Sequence, residues 1–471
     1  MPPWNPKGIL IPMTHQYLSR IENLLDPAGN ILLNMPYSEA EKRVLSGDAS
    51  LVNEIDGQFA IMVATGKTVR MARSIGRPLR YFLAKLVDGP CLIVAERMDE
   101  ILGKLTEMGI ADQFHPSYTR MVPAHHVVQI ELLGCPDPNP KYERFFTPER
   151  NSLPADLTVI GQQYVARLSQ ECDRWLDTIP GSEPIGVLFS GGIDSGAVLI
   201  AIYDRLLKRG ESPARLKAFT LRIDHSDGDA TQAQQFVRQC RMEELLEIVD
   251  CDSASLNWRE AVRVLEDYKP LDVQSGTMAM ALCREIRQRY PDWKHLADGD
   301  GGDENLKDYP IEENPELTIR SVLNNLMLYQ EGWGVHAIKH SLTYSGGQSR
   351  GHIRTSAPAS HFGFSGFSPF ALPRVIEIAE AIPFIELTDW DHRKLYDLKG
   401  EVIRRGIQSV CNVEMPIFEK RRFQHGAIDK QRFSDFFPTN EAEYRQEFLE
   451  AVGGLPNSGR IAIGRSIRRE S

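Results

Sequence analysis

Ile185-Gly186-Val187-Leu188-Phe189-Ser190-Gly191-Gly192-Ile193-Asp194-Ser195 is the stretch whose reading decides the fold. Its first five residues are a short apolar run, the pattern of a strand buried on both faces. Two glycines follow, which let the backbone turn tightly and present bare N–H groups, with hydroxyls on either side. Residues 195–208 then carry Val198, Ala201, Ile202 and Leu206 on one helical face, with Gly210 as the stop. A strand that turns through glycines into a helix N-terminus is an anion cradle suited to pyrophosphate. A carboxylate inside it would repel that ligand. Asp194 therefore implies a divalent cation between itself and the phosphates, and Mg²⁺ fits oxygen donors of this sort. The plain alternative is a tight turn with an N-cap Asp.

Downstream, the apolar pattern predicts strands at 216–223, 244–249 and 294–297, and helices at 230–240 and 278–288. Such alternation implies a parallel, doubly wound α/β sheet, whose ligands bind beyond the carboxyl ends of its strands. Directly after the strand at 294–297 comes Asp298-Gly299-Asp300-Gly301-Gly302-Asp303-Glu304. This compact acidic loop lacks the EF-hand ligand order and is better placed to complete a Mg²⁺ site begun by Asp194; a solvated acidic turn is the bland reading. Upstream, the first ~150 residues show short apolar runs between turns (8–12, 58–63, 91–94, 127–130), which predict β-rich structure. Residues 159–176 read as an amphipathic helix. From about 317 the pattern is mostly helical, with Gly/Ser-rich interruptions at 345–347 and 363–369.

Hydrophobic residues at 42% and charged residues at 25% are ordinary for a globular chain. A net charge of −10 argues against general nucleic-acid binding, and no apolar run is long enough to cross a membrane. The start of the chain lacks a secretory signal, so a cytoplasmic location is expected. The seven cysteines (Cys91, Cys135, Cys172, Cys240, Cys251, Cys283, Cys411) are scattered and show no C-x-x-C spacing, which predicts reduced, structural thiols. Gly66-Lys67-Thr68 lacks the earlier glycine of a Walker loop, where Ile61 stands, and His125-His126 matches no metal spacing.

Together the two glycine-acid motifs resemble the asparagine-synthetase family, whose synthetase domain is of the PP-loop ATP pyrophosphatase class. The family's S-G-G-x-D-S is matched at 190–195, and its S-G-(D/E)-G-(S/G)-D-E at 298–304 except that Asp298 replaces the first Ser. Lys420-Arg421-Arg422-Phe423-Gln424-His425-Gly426 is similar to its Lys-x-x-Phe-x-x-Gly segment. Ser368-Pro369-Phe370 is similar to its R-x-P-F-L-D segment, so the likeness runs from Ile185 to near Phe436. The resemblance implies that Ser190, Gly191, Gly192 and Ser195 hold the ATP phosphates and that Asp194 and Asp303 bind Mg²⁺. Leu188 and Leu221 would meet the nucleoside through backbone groups, beside Asp298 and Gly299. Lys420 would stabilise charge when an amine attacks an acyl-adenylate, and Asp300 could accept the amine's proton. Read without the resemblance, Lys420 is a solvated surface charge.

The N-terminal part resembles the family's glutaminase of the N-terminal-nucleophile class, through Asp56-Gly57-Gln58-Phe59-Ala60, residues 72–79 and Val122-Pro123-Ala124-His125. An αββα sandwich is the fold it implies. Such glutaminases use an N-terminal cysteine. Here Pro2 follows Met1 and the first cysteine is Cys91, so glutamine hydrolysis is not expected. The expected organisation is a degenerate glutaminase-like domain at 1–155, an ATP-dependent ligase domain at 156–440, and a C-terminal helix with a flexible basic tail at 441–471.

The function implied is an AMP-forming ligase that joins a small-molecule or peptide carboxylate to ammonia or an amine. Loss of the glutaminase nucleophile is also seen in β-lactam synthetases and lasso-peptide cyclases, so intramolecular ring closure is an alternative, although β-lactam synthetases place a tyrosine at the position of Asp300. PP-loop thiolation usually calls for paired cysteines or an RNA-binding domain, and neither is visible. A retired scaffold would have to explain why Asp194, Asp300, Asp303 and Lys420 all remain. The family's two glycines after the acidic loop are replaced by Lys307-Asp308, which suggests a substrate other than plain aspartate. The sequence leaves homodimerisation open.

Overall fold

The computed structural model describes residues 20–87, 89–131, 140–226, 228–308, 347–419, 427–428 and 430–452. The expected strand at 8–12, Cys135, Lys420 and the basic tail lie outside them.

Ten of the strands build the N-terminal part. Strands β1 (Ile21–Asn23), β6 (Arg80–Leu86), β7 (Gly89–Ala95) and β8 (Arg120–Met121) form one sheet in the order β1-β7-β6-β8. Strands β4 (Ala60–Thr65), β5 (Thr68–Arg73), β9 (His126–Glu131) and β10 (Lys141–Arg144) form a second, in the order β10-β9-β5-β4; β2 (Ile31–Leu32) pairs with β3 (Gly57–Gln58). Two-residue periodicity assigns the faces. Ala60, Met62, Val69, Met71, Tyr81, Leu92, Val94, Val128 and Ile130 meet between the sheets. The alternate residues turn outward. Ile61 and Ala72 meet the helix Tyr37–Ser46 through Ala40 and Val44, and Phe82, Ala84 and Ile93 meet the helix Met98–Glu107. The result is an αββα sandwich, as expected. His125 is buried against Phe145 and Phe146, a structural position as its sequence context suggested.

The second part is wound on five parallel strands: β11 (Ile185–Leu188), β12 (Leu216–Ile223), β13 (Leu246–Cys251), β14 (His295–Ala297) and β15 (Ser365–Phe367), in the order β13-β12-β11-β14-β15. Val187 pairs with Ala218 on one side and Ala297 on the other. The winding direction therefore reverses between β11 and β14, which makes their carboxyl ends a topological switch point. One face carries the helices Leu157–Asp177, Ile193–Lys208 and Leu395–Cys411, joined to the sheet through Val187, Ala218, Ala197 and Val402. The other carries Pro270–Arg289, with Met278, Leu282 and Ile286 against Phe219, Leu221 and Val249. Helices Leu157–Asp177 and Leu395–Cys411 cross backbone to backbone, because a Cβ on Gly161 would run into the Val402 carbonyl.

Three element boundaries differ from the sequence expectation. The strand expected at 244–249 opens with a 3₁₀ turn (Glu243–Leu245) and is extended only over β13. The helix expected at 278–288 begins at Pro270, because proline's fixed φ suits a first helical turn. The Gly/Ser-rich interruption at 363–369 contains β15, which tertiary contact holds: it pairs with β14, and Phe367 stacks on Trp175 at 4.4 Å.

The two parts interlock through polar contacts as well. Glu266 accepts from the N–H groups of Met98 (2.7 Å) and Asp99 (3.1 Å), so a carboxylate from one part caps a helix of the other. Arg97 returns the contact by donating to the carbonyls of Val264 and Arg263. All six described cysteines are free, and burial raises the thiols of Cys91 and Cys411 to about 11. No described helix is long and apolar enough to cross a membrane.

Candidate functional site

β11 ends at Leu188 and the turn 190–192 leads into the helix Ile193–Lys208. There the hydroxyls of Ser190 and Ser195 lie 3.2 Å apart, and the N–H groups of Ser190 and Gly192 point at them at 3.3 Å. Phe219 accepts from the Phe189 N–H across the ladder. Backbone orientation repeats every second residue in a strand, so Leu221 turns its own N–H and C=O the same way, past the end of β11. Leu188 and Leu221 thus both border the space beyond that strand end, Leu221 from within β12 rather than at its tip.

β14 ends at Ala297 and the acidic loop follows. It lies directly on the first motif. A Cβ on Gly299 would come within 2.7 Å of the Ser195 backbone nitrogen, and one on Gly302 would run into the Asp194 carboxylate. Glycine at both positions is what lets the loop approach so closely. Asn305 fixes the loop's far end by donating to the Tyr164 hydroxyl at 3.1 Å and the Phe370 carbonyl at 3.0 Å.

Lys399, which the sequence reading missed, sits at the centre. It projects from the helix Leu395–Cys411 with 2% of its side chain exposed. Its ammonium donates to Asp194 Oδ2 at 2.6 Å and to Asp303 Oδ1, with Asp308 at 3.7 Å. Burial works against the charge, but the carboxylates of Asp194, Asp303 and Asp308 outweigh it and hold the ammonium well above the usual lysine range. A signal was available: Leu395, Lys399, Val402 and Ile403 share one helical face, so a cation stands in an apolar stripe.

Two carboxylate oxygens converging on one cation position is a donor set that suits a divalent metal. Among the described residues no group of three or more His, Cys, Asp and Glu forms a closed cage. Mg²⁺ commonly takes one or two carboxylates and completes its shell with phosphate and water. The structure brings Asp194 and Asp303 together on the Lys399 ammonium.

The remaining acids are pushed toward their neutral forms. Burial raises Asp298 to about 7, against hydrogen bonds from Ser368 and the Asp300 N–H. Burial and then the Asp298 charge raise Asp300 well above the carboxylate range. Burial and then Asp303 raise Glu304 to about 7. A raised carboxyl group has the proton affinity a base needs near neutral pH. Lys307 turns away into a buried ion pair with Glu380, so it does not line the acidic loop's open side, whereas Asp308 faces Lys399. Lys420 lies outside the described residues.

The asparagine synthase family model matches residues 179–356. Among curated proteins none matches the chain. The matched stretch contains β11 to β14, the cradle at 190–195 and the acidic loop at 298–304, so geometry and comparison agree on the same segment. The match supports a domain of the asparagine-synthase family, of the PP-loop kind, over residues 179–356.

Proposed function

We propose that the chain activates a carboxylate with ATP and passes the acyl group to ammonia or an amine, without glutaminase activity of its own. The observation that carries this reading is the meeting of two glycine-acid motifs at the switch point, with Asp194 and Asp303 converging on the Lys399 ammonium. Residues 1–155 are taken as the degenerate glutaminase-like domain, 156–440 as the ligase domain, and 441–471 as a C-terminal helix and tail.

In the first step a carboxylate oxygen of the substrate attacks the α-phosphorus of ATP, the bond to the β-phosphate breaks, and pyrophosphate leaves. The hydroxyls of Ser190 and Ser195 and the Gly192 N–H exchange their mutual contacts for phosphate oxygens, with Gly191 holding the phosphates beside them. Asp194 and Asp303 would hold Mg²⁺ in exchange for their contacts with the Lys399 ammonium, and the ion would supply counter-charge to the phosphates. The backbones of Leu188, Leu221, Asp298 and Gly299 border the nucleoside. In the second step the amine attacks the acyl carbon and AMP departs with the bonding pair. Asp300, in its ionised form, takes the amine's proton, and Lys420 stabilises the tetrahedral oxyanion.

The test is release of pyrophosphate and AMP from Mg-ATP across a panel of carboxylates, with ammonia, glutamine or small amines. Pyrophosphate with AMP, supported by ammonia or an amine and never by glutamine alone, is the expected result. ADP with phosphate would refute the reading. Turnover of one substrate bearing both carboxylate and amine, with no added amine, would assign ring closure instead.

A further inference from the structure

Asp298 is the position where the acidic loop departs from the family's motif, and it is wired across the molecule. The hydroxyl of Ser368, at the end of β15, lies 2.6 Å from Asp298 Oδ1. The same hydroxyl lies 2.9 Å from His352 Nδ1, on the helix Gly347–His361. His352 Nε2 lies 3.0 Å from the Gly76 carbonyl, in the loop between β5 and β6 of the N-terminal sandwich. All three side chains are buried, with exposures of 4% for Asp298, 0% for Ser368 and 3% for His352.

Protons on this chain can be counted. A carbonyl only accepts, so Nε2 must carry a hydrogen. If Asp298 is ionised, Ser368 gives it the hydroxyl proton, and Nδ1 must then donate to Ser368, which makes His352 an imidazolium. If His352 is neutral, Nδ1 accepts from Ser368, and the short Ser368–Asp298 contact needs the acid form of Asp298. Both satisfied states hold one proton more than carboxylate plus neutral imidazole. Without that proton one link is left unmade in a buried site, which is costly.

We propose that His352 and Ser368 are positioning residues which, through this one shared proton, brace Asp298 of the nucleotide loop against the Gly76 carbonyl. The N-terminal sandwich thereby orders the loop. The inference rests on the ligase reading for its kinetic consequence, but not for the hydrogen-bonded chain itself. Burial lowers His352 to about 4 while burial raises Asp298 to about 7, so the proton resides on Asp298. Other charged and titratable groups face the chain too: Asp300 beside Asp298, the Cys283 thiol on Pro270–Arg289, Arg73 toward His352, and Arg354 on the helix of His352.

Four variants test this in the full chain. Nitrogen NMR with labelled histidine should show His352 as the Nε2–H tautomer with Nδ1 accepting, and Ser368→Ala should shift its Nδ1 signal. His352→Ala and Ser368→Ala should raise the KM for ATP about tenfold, with less effect on kcat. Asparagine at 352 can donate or accept toward Ser368 as needed. The wild-type KM should rise above pH ~7 as the shared proton is lost, and His352→Asn should keep the KM within about threefold of wild type and remove that rise. Asp298→Ser, which carries no carboxyl, should remove the same rise. An Nδ1–H tautomer, or a pH profile unchanged in all four variants, would overturn the proposal. If wild type bound no Mg-ATP, the ligase reading would fall, and the tautomer and the Ser368→Ala shift would still decide the hydrogen-bonded chain.

Discussion

Replacing Lys399 by methionine removes the cation on which three carboxylates converge while keeping the length of the side chain. Breaking a buried ion pair by deleting one partner costs about 3–5 kcal/mol when all charges are buried. Here Asp308 is 8% exposed, but Asp194 is 21% and Asp303 42%, so solvent screens part of their repulsion. Discounting those two leaves about 2–3 kcal/mol. The folded-state pKa of Lys399 is raised, so its contribution is present below the unfolded lysine value and is lost only as pH rises through the folded one. At neutral pH the full loss is therefore expected, a fall in Tm of roughly 4–10 °C. A cation restored to the same place should reverse it. Without ATP, millimolar Mg²⁺ should raise the Tm of Lys399→Met appreciably and that of wild type much less, because binding to the folded state stabilises it and in wild type Mg²⁺ must first displace the Lys399 ammonium from Asp194 and Asp303. Thermal unfolding at pH 7 with and without Mg²⁺ measures both effects. A variant as stable as wild type, or an equal response of the two to Mg²⁺, would refute the idea that these carboxylates form a cation site.

Asp194→Asn and Lys420→Ala should each abolish turnover to the amide. Calorimetry should find Mg-ATP binding weakened in Asp194→Asn and nearly intact in Lys420→Ala, whose effect falls on the transition state; equal losses would argue against the assigned roles. Gly299→Ala and Gly302→Ala should separate folding from binding. The first meets the Ser195 backbone and should lower the Tm, whereas the second meets the end of the Asp194 side chain and should lose Mg-ATP affinity first. Asp298 and Glu304 both have pKa values raised to about 7, so their acid forms stabilise the fold at low pH and that stability is lost as pH rises through 7. Unliganded protein should therefore unfold at lower temperature at pH 8 than at pH 6, and Glu304→Gln should flatten the trend.

What the sequence showed of this molecule was what repeats locally. Apolar runs located β11, β12 and β14, because a strand buried on both faces is written in consecutive residues. Glycines beside acids located the two loops, because a tight turn at a strand end demands them. β15 was hidden: three residues containing a Ser and a Gly have little strand propensity, and only pairing with β14 and the ring of Trp175 make them extended. Lys399 was hidden for a different reason. It lies 205 residues along the chain from Asp194, and nothing local marks which carboxylate a buried cation will find, although its place in an apolar stripe marks that it must find one. The brace on Asp298 joins both kinds of difficulty. Asp298 departs from the family's motif by one residue, and that departure acquires a meaning only when Ser368 and His352 arrive from elements far along the chain. A buried carboxyl group at a nucleotide loop would be a liability by itself. With a hydroxyl, an imidazole and a carbonyl in line it becomes a satisfied contact, and the carbonyl comes from the N-terminal sandwich. The geometry thus gives a physical reason for keeping that sandwich: its loop carries the last acceptor of a hydrogen-bonded chain that begins at Asp298.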